Sequence, residues 1–338
     1  ADGPGEVWTA ELNGQGAMVE TWTLWTDPDR GLLVDAHVLH PAKGIPGPGA
    51  LVLEPAGKDA EPLDLSEIGW NAVDSRDPAY ETVLTNGLAI RKTFRLSGVA
   101  ERPDEAVVEI RFTHRGKAPI EFTPRILLAS RMENLADKSE MPAEGVVLSK
   151  RKSDGVLRRT VKHVSEVGDG PARFSEEEVV WAGLGVQHFL LAGALEGRAD
   201  GTAVWQALGK DKKRLGVWLE APSVKLAPGG EEVLRVRLAA LPKTASILRG
   251  YGLEEAVDWG WFWWIKRPML ATLKLLYATS GNFGVAILIL TLLVRLFLHP
   301  LSFSYQKSMG EMSKKMQKLQ PKMAEINEKH KNNAKRKQ

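Results

Sequence analysis

The sequence has no cysteine. Disulfides, thiolate metal sites and a cysteine nucleophile are therefore excluded, while the compartment stays open. A signal peptide is missing too: the opening Ala-Asp-Gly-Pro-Gly carries neither a basic nor an apolar region. The other end, "NNAKRKQ", has no terminal cap. Both ends read as cut rather than natural. There is no metal-ligand spacing, nucleophile elbow or phosphate loop. His37, His40, His114, His163 and His188 are scattered among strand-like segments, where a lone histidine is usually a polar residue with a partner. The expectation is no catalytic residue, no metal and no cofactor. Internal repeats are absent, and only one long apolar run occurs.

What is present fits a folded chain of 338 residues, enough for one large domain or two ordinary ones. Glycine and proline number 32 and 19 and crowd into the first 240 residues, which implies many turns there. The net charge of +3 hides an asymmetry. Residues 306–338 hold 10 basic and 3 acidic residues, and the rest of the chain holds 35 and 39. A mildly acidic body thus carries a basic tail, suited to nucleic acid, ribosomes or an anionic membrane face.

Residues 1–245 read as β. Apolar and polar residues alternate in Val107-Val108-Glu109-Ile110-Arg111-Phe112 and in Leu234-Arg235-Val236-Arg237-Leu238. Asn86-Gly87 between "YETVL" and "LAIRKTF" signals a type I′ hairpin. More than a dozen candidate strands separated by turn clusters predict a large antiparallel sandwich.

Residues 246–280 change character. Trp259, Trp261, Phe262, Trp263 and Trp264 cluster, and Lys266, Arg267 and Lys274 follow. Leu253, Val257, Trp261, Trp264 and Ile265 keep helical spacing, so the segment predicts an amphipathic helix that Pro268 breaks or kinks. Tryptophans beside cations suit a membrane–water interface. The plainer reading is a helix with tryptophans packed on the β domain.

Residues 281–304 hold the apolar run. Phe283 to Phe303 spans about 31 Å as a helix, the thickness of a bilayer core. Phe283 to Val294 has no charge, and Thr291 is its only polar side chain. A transmembrane helix is predicted over the alternative of a buried core helix. Residues 305–338 read as a basic helix. Its Met309, Met312, Met316, Leu319, Met323 and Ile326 step by three and four, a coiled-coil seam. The plainer reading is the core of a helical hairpin; methionines also make an adaptable binding surface. Pro321 falls inside the seam and predicts a kink. Five lysines follow the run within about 20 residues, against three cations before it. This places the tail in the cytoplasm and the β domain outside.

Arg295 breaks the apolar run. It lies about 12 Å from the cytoplasmic end of the span, where an arginine costs about 2.5–3.5 kcal/mol on insertion scales. It can snorkel, pair with an acid of another span, or face a water-filled cavity and attract an anion. Thr291 sits one turn earlier on the same face and His299 one turn later.

The stretch "VDWGWFWWIKRPMLATLKLLYATSGNFGVAILILTLLVRLFLHPLSFSYQKSM…MQKLQPKM" resembles the YidC membrane-protein insertase family. The aromatic entry, the "GNFG", the Thr-x-x-x-Arg pair, the Pro300 exit and the "KLQPKM" helix match in order. Residues 1–245 resemble more loosely the periplasmic domain of Gram-negative members, through β-richness and segments such as "WAGLGVQHFLLAGAL". The resemblance implies a β-supersandwich related to mutarotase-like folds, and an insertase and chaperone of the bacterial inner membrane. Five core helices would form a hydrophilic groove in which Arg295 and Thr291 receive the polar tail of a substrate. The helix around Trp259 to Leu276 would lie on the outer face, and the helix after Tyr305 would begin a cytoplasmic coiled-coil hairpin. The implied partners are nascent membrane proteins, the Sec translocon and accessory secretion components, the ribosome and the phospholipid bilayer.

The chain departs from that family pattern in lacking the first transmembrane helix and the later spans, and in a slightly longer segment before "KLQPKM". It therefore reads as a fragment whose activity belongs to the complete protein. Two alternatives stand beside this. A membrane-anchored extracytoplasmic scaffold could bind glycan or peptide without insertase activity, but a plain anchor gains nothing from Arg295. A sugar-active enzyme would need site chemistry that the sequence does not show. Specific nucleic-acid readout by the tail is disfavoured, since aromatics do not interleave its basic residues.

Overall fold

The computed structural model describes residues 8–24, 36–38, 46–56, 61–74, 78–96, 105–130, 132–134, 144–150, 156–163, 166, 174–186, 188–208, 214–257 and 260–329. The chain forms two compact units, Ala1–Val257 and Asp258–Gln338.

The first unit is a sandwich. Among the described residues it has twenty strands in sheets of nine, seven and four, every pairing antiparallel. The nine-stranded sheet runs Leu157–His163, Glu144–Lys150, Val179–Gly185, Phe189–Leu195, Glu231–Pro242, Glu105–His114, Leu88–Leu96, Ala79–Val83, Asn71–Asp74. Strands Thr202–Leu208, Arg214–Glu220, Ile120–Ala129 and Leu51–Pro55 make the middle of the seven-stranded sheet.

Period-two alternation builds the core. Strand Glu105–His114 buries Val108, Ile110 and Phe112 and leaves Glu109 and Arg111 partly exposed. Leu234, Val236 and Leu238 do the same beside it. These side chains meet Leu51, Phe122, Ile126 and Trp205 of the other sheet. Each full burial contributes about 1.5–3 kcal/mol.

Alternation stops where both faces are covered. Strand Phe189–Leu195 is buried throughout, and so are Ala239 to Pro242. Helix α1, Ala245–Gly250, and the 3-10 turn Glu254–Ala256 explain this. Their Leu248 and Ala256, with Leu253 between them, pack on Val146, Trp181, Leu190 and Leu241 at the outer face of the large sheet.

Two local expectations are corrected. Leu253 and Val257 do not share a helix with Trp264: Gly252 and Gly260 have φ of 68° and 62°, left-handed values that interrupt a right-handed helix. The Asn86-Gly87 hairpin forms, but not with a type I′ turn. Leu84 and Leu88 close it, Gly87 N–H donates to the Leu84 carbonyl at 2.9 Å, and only Gly87 is left-handed, at φ 83°. This is a three-residue loop of the bulged kind. A Cβ on Gly87 would lie 2.7 Å from the Gly116 backbone nitrogen.

The second unit is helical. Helix α2 is Trp263–Ser280 and contains Pro268. Helix α3, Phe283–Lys329, has 47 residues and runs on through Pro300 and Pro321. The apolar run and the basic segment are thus one helix about 70 Å long, more than twice a bilayer core.

Candidate functional site

The "GNFG" segment is a helix-to-helix junction. Gly281 closes α2 in the left-handed region, φ 65°, its N–H donating to Tyr277 O at 2.8 Å. Asn282 then caps α3: its Oδ1 accepts from Gly284 N–H at 2.7 Å and its carbonyl accepts from Ala286 N–H at 3.0 Å. The Tyr277 and Phe283 rings stack with centroids 3.9 Å apart. On α3, Ala286 is fully buried and Leu290 and Val294 are partly covered, one turn apart in each case.

Phe283–Pro300 is long and apolar enough to cross a membrane, the sole such helix among the described residues. It is almost wholly exposed, unlike the core helix of a soluble domain: Leu288, Leu292, Leu296 and Phe297 all face outward. Thr291 and Arg295 are exposed on the same helix. At 100° per residue their stripe lies roughly 120–140° around from the covered one, so the junction with α2 leaves it open. The Thr291 hydroxyl donates to its own helix at Ile287 O, 2.7 Å. Arg295 has no ion-pair partner among the described residues. His299, one turn beyond Arg295, is exposed as well, its ring centroid 6.4 Å from that of Phe303.

The tryptophans begin α2. Trp261 is 85% exposed, and Phe262, Trp263 and Trp264 are each more than half exposed. The Arg267 guanidinium sits 5.9 Å over the Trp263 ring, a cation–π contact. Trp259 lies outside the described residues. Along α3, Met309, Met312, Met316, Leu319 and Met323 are each more than half exposed, and Ile326 continues the same helix.

The histidines do not converge. His114 is buried with Nε2 2.6 Å from Ala118 O, His163 ends strand Leu157–His163, and His188 is exposed in the loop before Phe189. His37 pairs through its backbone with Thr23 and Glu133, and His40 lies outside the described residues. No group among the described residues could hold a metal ion.

Comparison with known proteins accounts for both units. The YidC periplasmic domain matches residues 73–272, and the 60Kd inner membrane protein family matches residues 275–338. The membrane protein insertase YidC of Geobacter metallireducens is 38% identical over 155 residues, 45% of this chain and 28% of that protein. That of Syntrophus aciditrophicus is 38% identical over 159 residues, 46% of this chain and 28% of that one. The matched stretches thus span less than a third of these relatives. A galactose mutarotase-like protein from Lactobacillus casei has a TM-score of 0.44 at 10% identity, over 70% of this chain and 98% of that chain.

A β-sandwich and an apolar helix of membrane length in one chain define the class: an inner-membrane protein that carries a large β domain. The chain belongs to the YidC membrane protein insertase family.

Proposed function

We propose that the complete protein inserts other proteins into the inner membrane, and that this chain supplies its extracytoplasmic sandwich and the first wall of its substrate groove. One observation carries the reading. The helix that crosses the bilayer presents on one open stripe a threonine and an arginine that has no ion-pair partner among the described residues. A lipid-facing anchor would be penalised by about 2.5–3.5 kcal/mol for that arginine. A hydrated groove completed by the remaining spans removes most of this penalty and turns the charge to use.

Arg295 would attract the acidic or polar tail of an entering helix in a medium less screening than water. Thr291 contributes little charge, since its hydroxyl is already engaged. The groove shortens the hydrocarbon that the tail must cross, and burial of the substrate's own apolar helix drives the final step. No bond chemistry is required.

Trp261, Trp263 and Trp264, with Trp259 beside them, would anchor α2 at the outer headgroups, Arg267 stacking among them. The methionine seam would meet the second helix of a cytoplasmic hairpin, its basic flank facing anionic lipid and the ribosome. The lysine excess after the span supports this orientation. The Sec translocon and accessory secretion components would meet the protein from the outside and from within the bilayer.

Proteoliposomes holding the complete protein, given a single-span reporter with an acidic external tail, test the activity. Protease should spare the tail in these vesicles and remove it in empty ones. Equal protection in both would dismiss the insertase reading.

A further inference from the structure

Half of the chain's eight methionines share one face of α3. Met309, Met312, Met316 and Met323, with Leu319 among them, fall within an arc of about 80° at 100° per residue, over about 21 Å of the helix axis. Each of the four is more than half exposed. Met18 is the opposite case: it is 7% exposed, and its sulfur accepts the Gly47 N–H at 3.1 Å. Met269 is the single methionine of α2 and is partly exposed there.

Packing alone does not require sulfur on this face. Leu319 fills one seam position, and leucine and methionine have nearly equal helix propensity. Leucine would build the same apolar seam and is inert to peroxides. Methionine differs in its thioether, which takes up one oxygen atom and becomes a polar, chiral sulfoxide. The chain has no cysteine, so no thiol is present to react ahead of the thioethers. The reaction balances with a hydroperoxide as oxidant. Its O–O bond breaks and an S–O bond forms; sulfur gives up an electron pair, and the peroxide leaves as an alcohol or water.

We infer that Met309, Met312, Met316 and Met323 form an oxidation-sensitive modification site: a hydroperoxide converts them to sulfoxides, which loosens the cytoplasmic hairpin until the thioethers are restored. The inference rests on the reading that this seam meets a second hairpin helix. A sulfoxide oxygen held in an apolar seam is a polar group without a partner. Each one therefore shifts the hairpin toward its open form by at least about fivefold. Local opening of a two-helix hairpin leaves the rest of the fold intact, and it is the route by which oxidant and reductase reach the seam. The change is reversible, because methionine sulfoxide reductases return the thioether.

The test treats the complete protein in proteoliposomes with hydrogen peroxide. Peptide mass spectrometry should find the added oxygen on Met309, Met312, Met316 and Met323 well before Met18. Hydrogen exchange of the amides of residues 309–323 should then quicken at least about fivefold. Both methionine sulfoxide reductases together should reverse the change, an arm that needs no variant. The chain carrying Met309→Leu, Met312→Leu, Met316→Leu and Met323→Leu, compared with its own untreated sample, should keep its exchange rates although Met269 is still present. Exchange unchanged by full oxidation of the seam, equal quickening in the leucine variant, or Met18 oxidised as fast as the seam would each overturn the inference. Unprotected exchange before any peroxide is added would remove the hairpin reading and the inference with it. None of these readouts uses insertion, so their failure leaves the insertase reading standing.

Discussion

Lys92 shows how one residue can break a pattern. It lies in strand Leu88–Leu96, in phase with Leu88, Ile90 and Phe94, all of which enter the core. Lys92 follows them and is fully buried. Its ammonium donates to the carbonyls of Gly16, Ala17 and Gly49 at 2.8, 3.0 and 2.7 Å. All three of those residues are left-handed, including the non-glycine Ala17 at φ 42°, so backbone strain is held where one cation collects three carbonyls. The Trp70 ring lies 4.6 Å from the same nitrogen. Burial pushes the Lys92 pKa down to about 7, with Asp64 pulling it up. The sign follows: between about pH 7 and 10.5 the unfolded chain binds a proton that the folded chain does not, so stability rises with pH in that window. Lys92→Met should destabilise the sandwich by roughly 1–3 kcal/mol, leaving carbonyls unpaired. Its deficit in urea unfolding should widen by on the order of 2 kcal/mol from pH 7 to pH 9. A constant deficit would mean that the lysine does not titrate there. The signal was open in the sequence, a lysine at an inward position of an alternating strand, but alternation alone cannot say what waits inside.

At the scale of elements, neighbouring strands explain most of what could be read in advance. The strand Glu105–His114 was legible because one face is buried and the other is not. Its outer face carries a cross-strand cluster: Glu109 accepts from Arg235 at 2.9 Å and from Arg111 at 3.3 Å, and Arg111 also pairs with Glu231. Burial alone would raise the Glu109 pKa, but the hydrogen bonds from Arg235 and Arg111 outweigh it and hold the group below the usual carboxylate range. This stability is present above the unfolded pKa near 4.5 and is lost as pH falls through the folded value. Glu109→Gln should therefore flatten the loss of stability between pH 5 and pH 3. The effect should stay below about 1 kcal/mol, because both arginines are half exposed. At the hairpin, Gly87→Ala meets both a left-handed φ and a backbone atom at 2.7 Å. It should cost at least about 1–2 kcal/mol in thermal unfolding, and a neutral result would contradict the turn assigned here. The sequence marked that hairpin through Asn86-Gly87 but not its turn type, which depends on how Leu84 and Leu88 pair.

For the whole molecule, the division into a sandwich and a helical unit was legible from composition, because membranes and water select such different side chains. Its details were less so. Helical spacing joined Leu253 to Trp264, yet Leu253 belongs to the sandwich cover and Trp264 to α2. Spacing is blind to a glycine that turns the chain between two matching positions. The polar stripe, in contrast, needed only the order of letters: an arginine four residues after the lone threonine of an apolar run is conspicuous without coordinates. In the folded chain this stripe is not the covered side of α3, and the Thr291 hydroxyl is occupied by its own helix.

The central claim is that the positive charge at position 295, held in a hydrated groove, draws substrate tails into the membrane. Insertion of the acidic-tailed reporter by the complete protein, compared among the native chain, Arg295→Lys and Arg295→Ala at equal expression, tests it most directly. The account predicts that lysine keeps most of the insertion and alanine loses at least about tenfold, the factor that 1.4 kcal/mol of lost attraction produces. Full insertion by the alanine variant would contradict it and leave the arginine without a role in capture.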